Sequence, residues 1–120
     1  MKATEWAKAP PELVETFTTA VAELGGAQQR KMFGYPAAFA NGNMFTGIYQ
    51  DRWFVRLGED DRRRLAAAGG STFEPMRGRP MREYLELPAS VLSDDAARAD
   101  WLQRSLAYAL SLPPKAPRGK

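Results

Sequence analysis

The chain has 120 residues, of which 44% are hydrophobic, and its formal net charge is +3. This is the length of one domain, and the apolar content is high enough for a buried core, which excludes a wholly disordered protein. The sequence contains neither cysteine nor histidine, which excludes disulfides, thiolate nucleophiles, a Ser-His-Asp triad and the usual structural zinc sites.

The residues after Pro10 and Pro11 predict an amphipathic helix. Apolar residues recur there three and four positions apart, with glutamates on the rest of the helix surface. Proline is tolerated in the first turn of a helix, and the pair Gly25-Gly26 supplies a C-terminal stop.

Short strands follow this helix. The pair Asn41-Gly42 predicts a hairpin turn, because both residues tolerate a positive φ. In "RWFVRL", residues 52–57, alternation places Trp53, Val55 and Leu57 on one face of a strand. Phe54 and Arg56 take the other face. The predicted strand segments are residues 28–33, 35–40, 43–49 and 52–57, which together form a meander of three or four antiparallel strands.

The second half of the chain predicts a short helix at residues 58–70, strands at 71–75 and 82–87, and a long helix that ends near residue 112, with Ser93 as its N-cap. Strands that follow one another through tight turns pair antiparallel. The fold class is therefore α+β, an antiparallel sheet of about five strands with three helices, in the order α-β(3)-α-β(2)-α.

The excess positive charge lies at the C-terminal end. The last eight residues contain Lys115, Arg118 and Lys120 and no acid, so residues 1–112 carry no net charge. A basic tail is weak support for a nucleic-acid-binding fold. We divide the chain into one domain, residues 1–112, and a disordered basic tail, residues 113–120, whose deletion should leave the melting temperature nearly unchanged.

No apolar run approaches the roughly 20 residues that span a bilayer, and the N-terminus lacks the apolar segment of a signal peptide. These features favour a cytoplasmic protein without membrane contact.

The candidate binding residues are five cations. Arg77, Arg79 and Arg82 lie in and beside a turn without an acid among them, and a guanidinium group suits phosphate or carboxylate. Arg30 and Lys31 would join them if the two segments fold together, which would form a patch for an anion or a protein partner. The alternative is that one segment is a flexible surface turn and the other a strand that leads into a hairpin.

Other patterns favour structure over chemistry. The stretch "DDRRR", residues 60–64, is typical of a solvated, salt-bridged helix. Strand aromatics could stack on single-stranded nucleic acid, but they are more often core residues. Among the carboxylates Glu74, Glu83 and Glu86, nothing in the spacing demands an acid–base site. The sequence thus predicts no catalytic residue, metal or cofactor.

One group of residues resembles a known family. Lys31, Met32, Phe33 and Gly34 form a basic residue followed by Met-Phe-Gly. A hairpin turn, a Met-Phe return strand and a strand ending in Leu-Pro follow. In this order, and over roughly residues 10–112, the chain resembles the N-terminal domain of the TfoX/Sxy family. The residues of the later features are Asn41, Gly42, Met44, Phe45, Leu87 and Pro88.

The resemblance implies a compact domain with the element order given above, similar to the type III secretion-chaperone arrangement. Full-length members regulate DNA-uptake competence in bacteria together with other transcription factors, and they carry a second, helical domain. The sequence shows no such domain, so we expect a single-domain member. We therefore predict a non-enzymatic regulatory or protein-binding domain. The alternatives are a nucleic-acid-associated accessory protein that uses the arginine-rich turn, and an enzyme acting on a small anionic substrate.

Overall fold

In the computed structural model, which describes residues 9–32, 34–76 and 78–115, six strands form one sheet and four helices pack on it. The helices are α1 (Pro11–Ala22), α2 (Glu59–Ala67), α3 (Ala89–Leu92) and α4 (Asp95–Ser111). The strands are β1 (Gln28–Met32), β2 (Tyr35–Ala40), β3 (Asn43–Tyr49), β4 (Arg52–Arg56), β5 (Ser71–Met76) and β6 (Arg79–Glu86). None of the described helices has the length and apolar character needed to cross a bilayer.

All neighbouring strands are antiparallel, and their order across the sheet is β1-β2-β3-β4-β6-β5. The first four strands form a meander. The last two form a hairpin whose second strand, β6, pairs with β4, so that β1 and β5 are the two edges.

The predicted fold class is confirmed, with small differences in the count of elements. The described residues form four strands before α2 and six in total, where the sequence predicted about five. Gly34, with a φ of +83°, turns the chain between β1 and β2, so the two segments are separate strands that pair with each other.

The start of the long helix also differs from the prediction. Its N-cap is Asp94, whose carboxylate accepts hydrogen bonds from the backbone N–H groups of Ala96 and Ala97. Ser93 instead ends the preceding short helix, α3, which the sequence analysis did not predict. A carboxylate at this position also complements the helix dipole.

The core lies between the helices and one face of the sheet. Phe17 of α1 packs its ring 5.1 Å from that of Trp53. Trp53, Val55 and Leu57 are at most 1% exposed, which confirms the face assigned to them. Buried residues from all four helices belong to the same core cluster as these strand residues, so the helices lie on one face of the sheet. The opposite face carries no described helix.

The segment after α4 lies against the β2–β3 turn. The side-chain amide of Asn43 donates to the carbonyl of Pro113 over 3.2 Å, and the backbone N–H of Lys115 donates to the carbonyl of Asn41 over 2.8 Å. Gly42 makes room for this contact, since a Cβ there would overlap the backbone of Lys115. Residues 113–115, which belong to the predicted disordered tail, therefore contact the domain. Residues 116–120 lie outside the described part of the chain.

Two deletions distinguish how much residues 113–115 and residues 116–120 each contribute to stability. Removal of residues 113–120 breaks two hydrogen bonds and should lower the free energy of unfolding by about 1–2 kcal/mol. Removal of residues 116–120 keeps both bonds and is the matched control, with no measurable change. Denaturant melts of the two truncated chains test this, and equal stability of both would contradict the observed docking.

Candidate binding surface

The face of the sheet that the helices leave uncovered, here called the open face, carries a continuous row of aromatic rings. Ring centroids are separated by 5.3 Å from Tyr35 to Tyr49, 5.8 Å from Tyr49 to Phe73, 4.3 Å from Phe73 to Phe54 and 5.7 Å from Phe54 to Tyr84. The row thus crosses the sheet from β2 to β6.

The centre of this row depends on a glycine. Alternation in β4 directs Phe54 to the open face, opposite Gly47 of β3. A Cβ at Gly47 would lie only 2.7 Å from the Phe54 ring. The missing side chain lets this ring lie flat on the strand, where Phe73 stacks on it at an interplanar angle of 17°.

Two arginine side chains lie over aromatic rings of the open face. The guanidinium carbon of Arg30 is 5.1 Å from the ring centroid of Phe39. That of Arg52 is 5.3 Å from the Tyr49 ring, and Arg52 also forms an ion pair of 2.9 Å with Glu86. These distances are within the range of cation–π contacts, so the open face is both aromatic and cationic.

A second group of polar side chains lies where β4 and β6 meet α4, and we call it the Arg56 junction. Arg56 forms an ion pair of 2.7 Å with Glu83, which also accepts a hydrogen bond of 3.2 Å from the hydroxyl of Tyr108. The hydroxyl of Tyr84 donates to the carbonyl of Met44 over 2.9 Å. The junction therefore ties β6 to β3, β4 and α4.

The ionisation of the junction follows from these contacts. Burial acts to raise the pKa of Glu83, but the hydrogen bond and charge of Arg56, followed by the hydrogen bond from Tyr108 and the charge of Arg62, bring that pKa below its ordinary value. Burial raises the pKa of Tyr84, although the charge of Arg56 opposes this. At neutral pH the junction thus holds a carboxylate, a guanidinium group and a protonated phenol.

The lowered pKa of Glu83 predicts a pH-dependent contribution to stability. This contribution is fully present above the ordinary value of 4.5 and is lost as the pH falls through the lower folded-state pKa. We expect Glu83→Gln to lower the melting temperature at neutral pH. The difference in melting temperature between the variant and the wild type should become smaller below pH 4.5. The control is Glu59→Gln on exposed α2, which breaks a solvent-exposed ion pair with Arg63 and should lower the melting temperature much less at neutral pH. A difference for Glu83→Gln that is independent of pH would contradict the assignment.

The structure separates four of the five predicted cations into two groups. Arg30 and Lys31 are exposed on the edge strand β1, and Arg79 and Arg82 are exposed on β6. Three strands lie between β1 and β6, which corresponds to about 19 Å along the sheet. Arg77 lies outside the described residues, as does Phe33 of the Met-Phe-Gly motif.

Within the described part of the chain, these exposed cations have no acidic partner. None of the ion pairs there includes Arg30, Lys31, Arg79 or Arg82. The arginines of α2 differ, since Arg63 and Arg64 both pair with acids one turn away. The charge of these four cations is thus not neutralised by any acid in the described part of the chain.

The carboxylates considered for acid–base chemistry all have structural partners. Glu83 pairs with Arg56, Glu86 pairs with Arg52, and Glu74 accepts a hydrogen bond from the backbone N–H of Gly78. No group of three or more metal-ligating acids occurs among the described residues.

An open groove of about 540 Å³ lies on the helical side, between the start of α1, the β3–β4 turn and the start of α4. Its charge is opposite to that of the open face, because three acids lie on its rim and one arginine, Arg98, lies over the ring of Trp53. The acids are Glu12, Asp51 and Asp95, and the apolar floor consists of Leu13, Trp53 and Leu92.

Sequence reasoning found part of the open face and missed the rest. Alternation in β4 correctly placed Phe54 opposite the core residues. The contribution of Phe73 was missed, because it comes from a strand that is distant in the sequence and its position depends on the pairing of β5 with β6. The role of Gly47 was missed for the same reason; a glycine inside a strand pattern was the available signal.

Comparison with protein families gives one match. The model of the TfoX N-terminal domain matches residues 19–109, which extend from α1 to α4 and include the whole sheet. A comparison with curated proteins finds no match.

Proposed function

Since the chain belongs to the TfoX N-terminal domain family, we propose that it is a non-enzymatic regulatory domain that acts by binding another protein. The observation that carries this proposal is the open face, an aromatic surface with arginines over two of its rings and no described helix over it. Regulation of DNA-uptake competence, the role of the full-length relatives that the chain resembles, is the process we propose, with a cytoplasmic location.

The composition of the open face supports a protein partner. Aromatic residues and arginine are enriched in protein–protein interfaces and account for much of their binding energy. Tyr35, Tyr49 and Tyr84 are each partly exposed there, so part of each aromatic side chain is within reach of a partner. The predicted patch of Arg30, Lys31, Arg77, Arg79 and Arg82 belongs to this proposal as the source of attraction for an acidic protein surface.

The same geometry argues against the open face as a stacking platform for nucleic acid. Phe54 and Phe73 are stacked on each other and are at most 5% exposed, so neither presents a free ring face to a base. Stacking on bases requires such a free face. Binding through the exposed arginines alone remains the alternative, and salt dependence distinguishes it.

The experiment compares two charge variants in the capture of protein partners from an extract of the source organism. Changing Arg79 and Arg82 to alanine should reduce the captured partner about tenfold. The stability should change by less than about 1 kcal/mol, because exposed charges contribute little to folding. The matched control changes Arg63 and Arg64, which removes the same charge from α2 and should leave capture intact.

Two results would overturn the proposal. Unchanged capture by the Arg79 and Arg82 variant would exclude these residues from the interface. Tight binding of a DNA duplex with a steep salt dependence, lost in the same variant, would favour the nucleic-acid alternative.

A further inference from the structure

The two edges of the sheet differ in their regularity. β1 pairs with β2 over all five of its residues without a shift in register. β5, at the other edge, contains Pro75 and has two register shifts along its pairing with β6. Proline and bulges are common ways to prevent a sheet edge from pairing with another chain. By this criterion β5 is protected and β1 is not.

The outer side of β1 is accessible. Four of its residues, Gln28 to Lys31, are exposed. Within the described residues, no strand or helix forms backbone hydrogen bonds with this side. The nearest helical contact is a side-chain bond, in which the amide of Gln29 donates to the carbonyl of Thr18 over 3.3 Å. A regular edge of this kind presents N–H and C=O groups to an added strand.

The charge of β1 indicates which kind of added strand it can bind. It contains two cations, Arg30 and Lys31, and no acid. Because side chains alternate, the two cations lie on opposite faces of the strand, and Arg30 lies on the side of the aromatic row, over Phe39. Antiparallel pairing of two copies of β1 would bring these like charges together, which disfavours self-association.

We propose that β1 binds an extended, acidic segment of a partner protein, which adds to the sheet as a further strand beside Arg30 and Lys31. This inference rests on the proposed function and names both the docking position and the chemistry of the partner. Backbone hydrogen bonds to β1 supply affinity, and acidic side chains opposite the two cations supply specificity.

The test uses the full chain and a synthetic peptide of valine and threonine with two adjacent glutamates at its centre, which lie on opposite faces of a strand. NMR titration should shift the amide signals of residues 28–32, and hydrogen exchange at the outward-facing amides of β1 should slow at least about tenfold. The same peptide with an N-methyl group at every residue should not bind, because it has no backbone N–H group left to donate to β1. Reversing the charge of Arg30 and Lys31 to glutamate should weaken binding about tenfold, whereas the matched reversal at Arg63 and Arg64 should have no effect.

Several outcomes would overturn the inference. These are the absence of peptide binding, equal binding of the N-methylated peptide, and signal shifts confined to the acidic groove or the β5–β6 hairpin. Concentration-dependent dimerisation with shifts at β1 would identify a second copy as the occupant instead. If the peptide fails but the Arg79 and Arg82 variant still loses its captured partner, only the docking position is refuted and the proposed function stands.

Discussion

Replacing Trp53 by alanine is expected to lower the free energy of unfolding by about 3–5 kcal/mol, the range for large aromatic residues in a core. Trp53 is 1% exposed, and its ring packs against that of Phe17. Its indole N–H donates to the hydroxyl of Thr46 over 2.9 Å, and that hydroxyl donates to the carbonyl of Phe54 over 2.7 Å. The substitution therefore leaves a cavity between α1 and the sheet and removes one buried hydrogen bond.

The control for this prediction is Trp101→Ala on α4. Trp101 is only partly buried and contacts Arg104, whose guanidinium carbon is 5.4 Å from its ring centroid. We expect a smaller loss, about 1–2 kcal/mol. Urea melts of both variants provide the measurement. A loss of less than about 1 kcal/mol for Trp53→Ala would mean that the assigned core face is incorrect.

Replacing Ser105 by alanine is expected to cost about 2–4 kcal/mol, because buried backbone groups would lose their partner. The Ser105 hydroxyl is completely buried on the inner side of α4. It accepts from the backbone N–H of Arg56 over 3.1 Å, and it lies 2.7 Å from the carbonyl of Phe45 and 2.6 Å from that of Arg56. The hydroxyl thus bridges β3 and β4 just beyond the last pair of their ladder, Thr46 and Val55.

Ser111→Ala is the matched control on the same helix. Its hydroxyl donates to the carbonyl of Tyr108 one turn earlier and is exposed, so its loss should change stability by less than about 0.5 kcal/mol. Chemical denaturation of the two variants measures the difference. If Ser105→Ala is as stable as Ser111→Ala, the hydroxyl does not hold the two strands together.

Local sequence patterns predicted most of the elements, and they did so for local reasons. Asn41 and Gly42 have φ angles of +54° and +78°, as expected for the pair that turns a hairpin. The predicted strand at residues 43–49 is β3 with the same bounds. The Ser93 prediction was wrong because serine and aspartate are both good caps, and the sequence does not show which of two adjacent caps begins the long helix.

The positions of the candidate binding residues in the sheet could not be predicted from local sequence patterns. The sequence shows that no acid lies beside Arg30 and Lys31, and that none lies between Arg79 and Arg82. It does not show that the first two lie on an edge strand and the last two lie four strand spacings away. Strand order depends on which apolar faces meet in the folded chain, and strands of similar composition can occupy either an edge or the centre of a sheet.

The sequence by itself determined which residues of β4 face the core, because the two-residue period of a strand is a property of its own backbone. Only the tertiary structure decided what the opposite face of β4 would contact. Phe73 stacks on Phe54 because β5 pairs beyond β6 and because Gly47 leaves space beneath the ring. Similarly, Ser105 could join β3 to β4 only after α4 had packed on the sheet. These contacts join segments far apart along the chain, so no local pattern of residues encodes them.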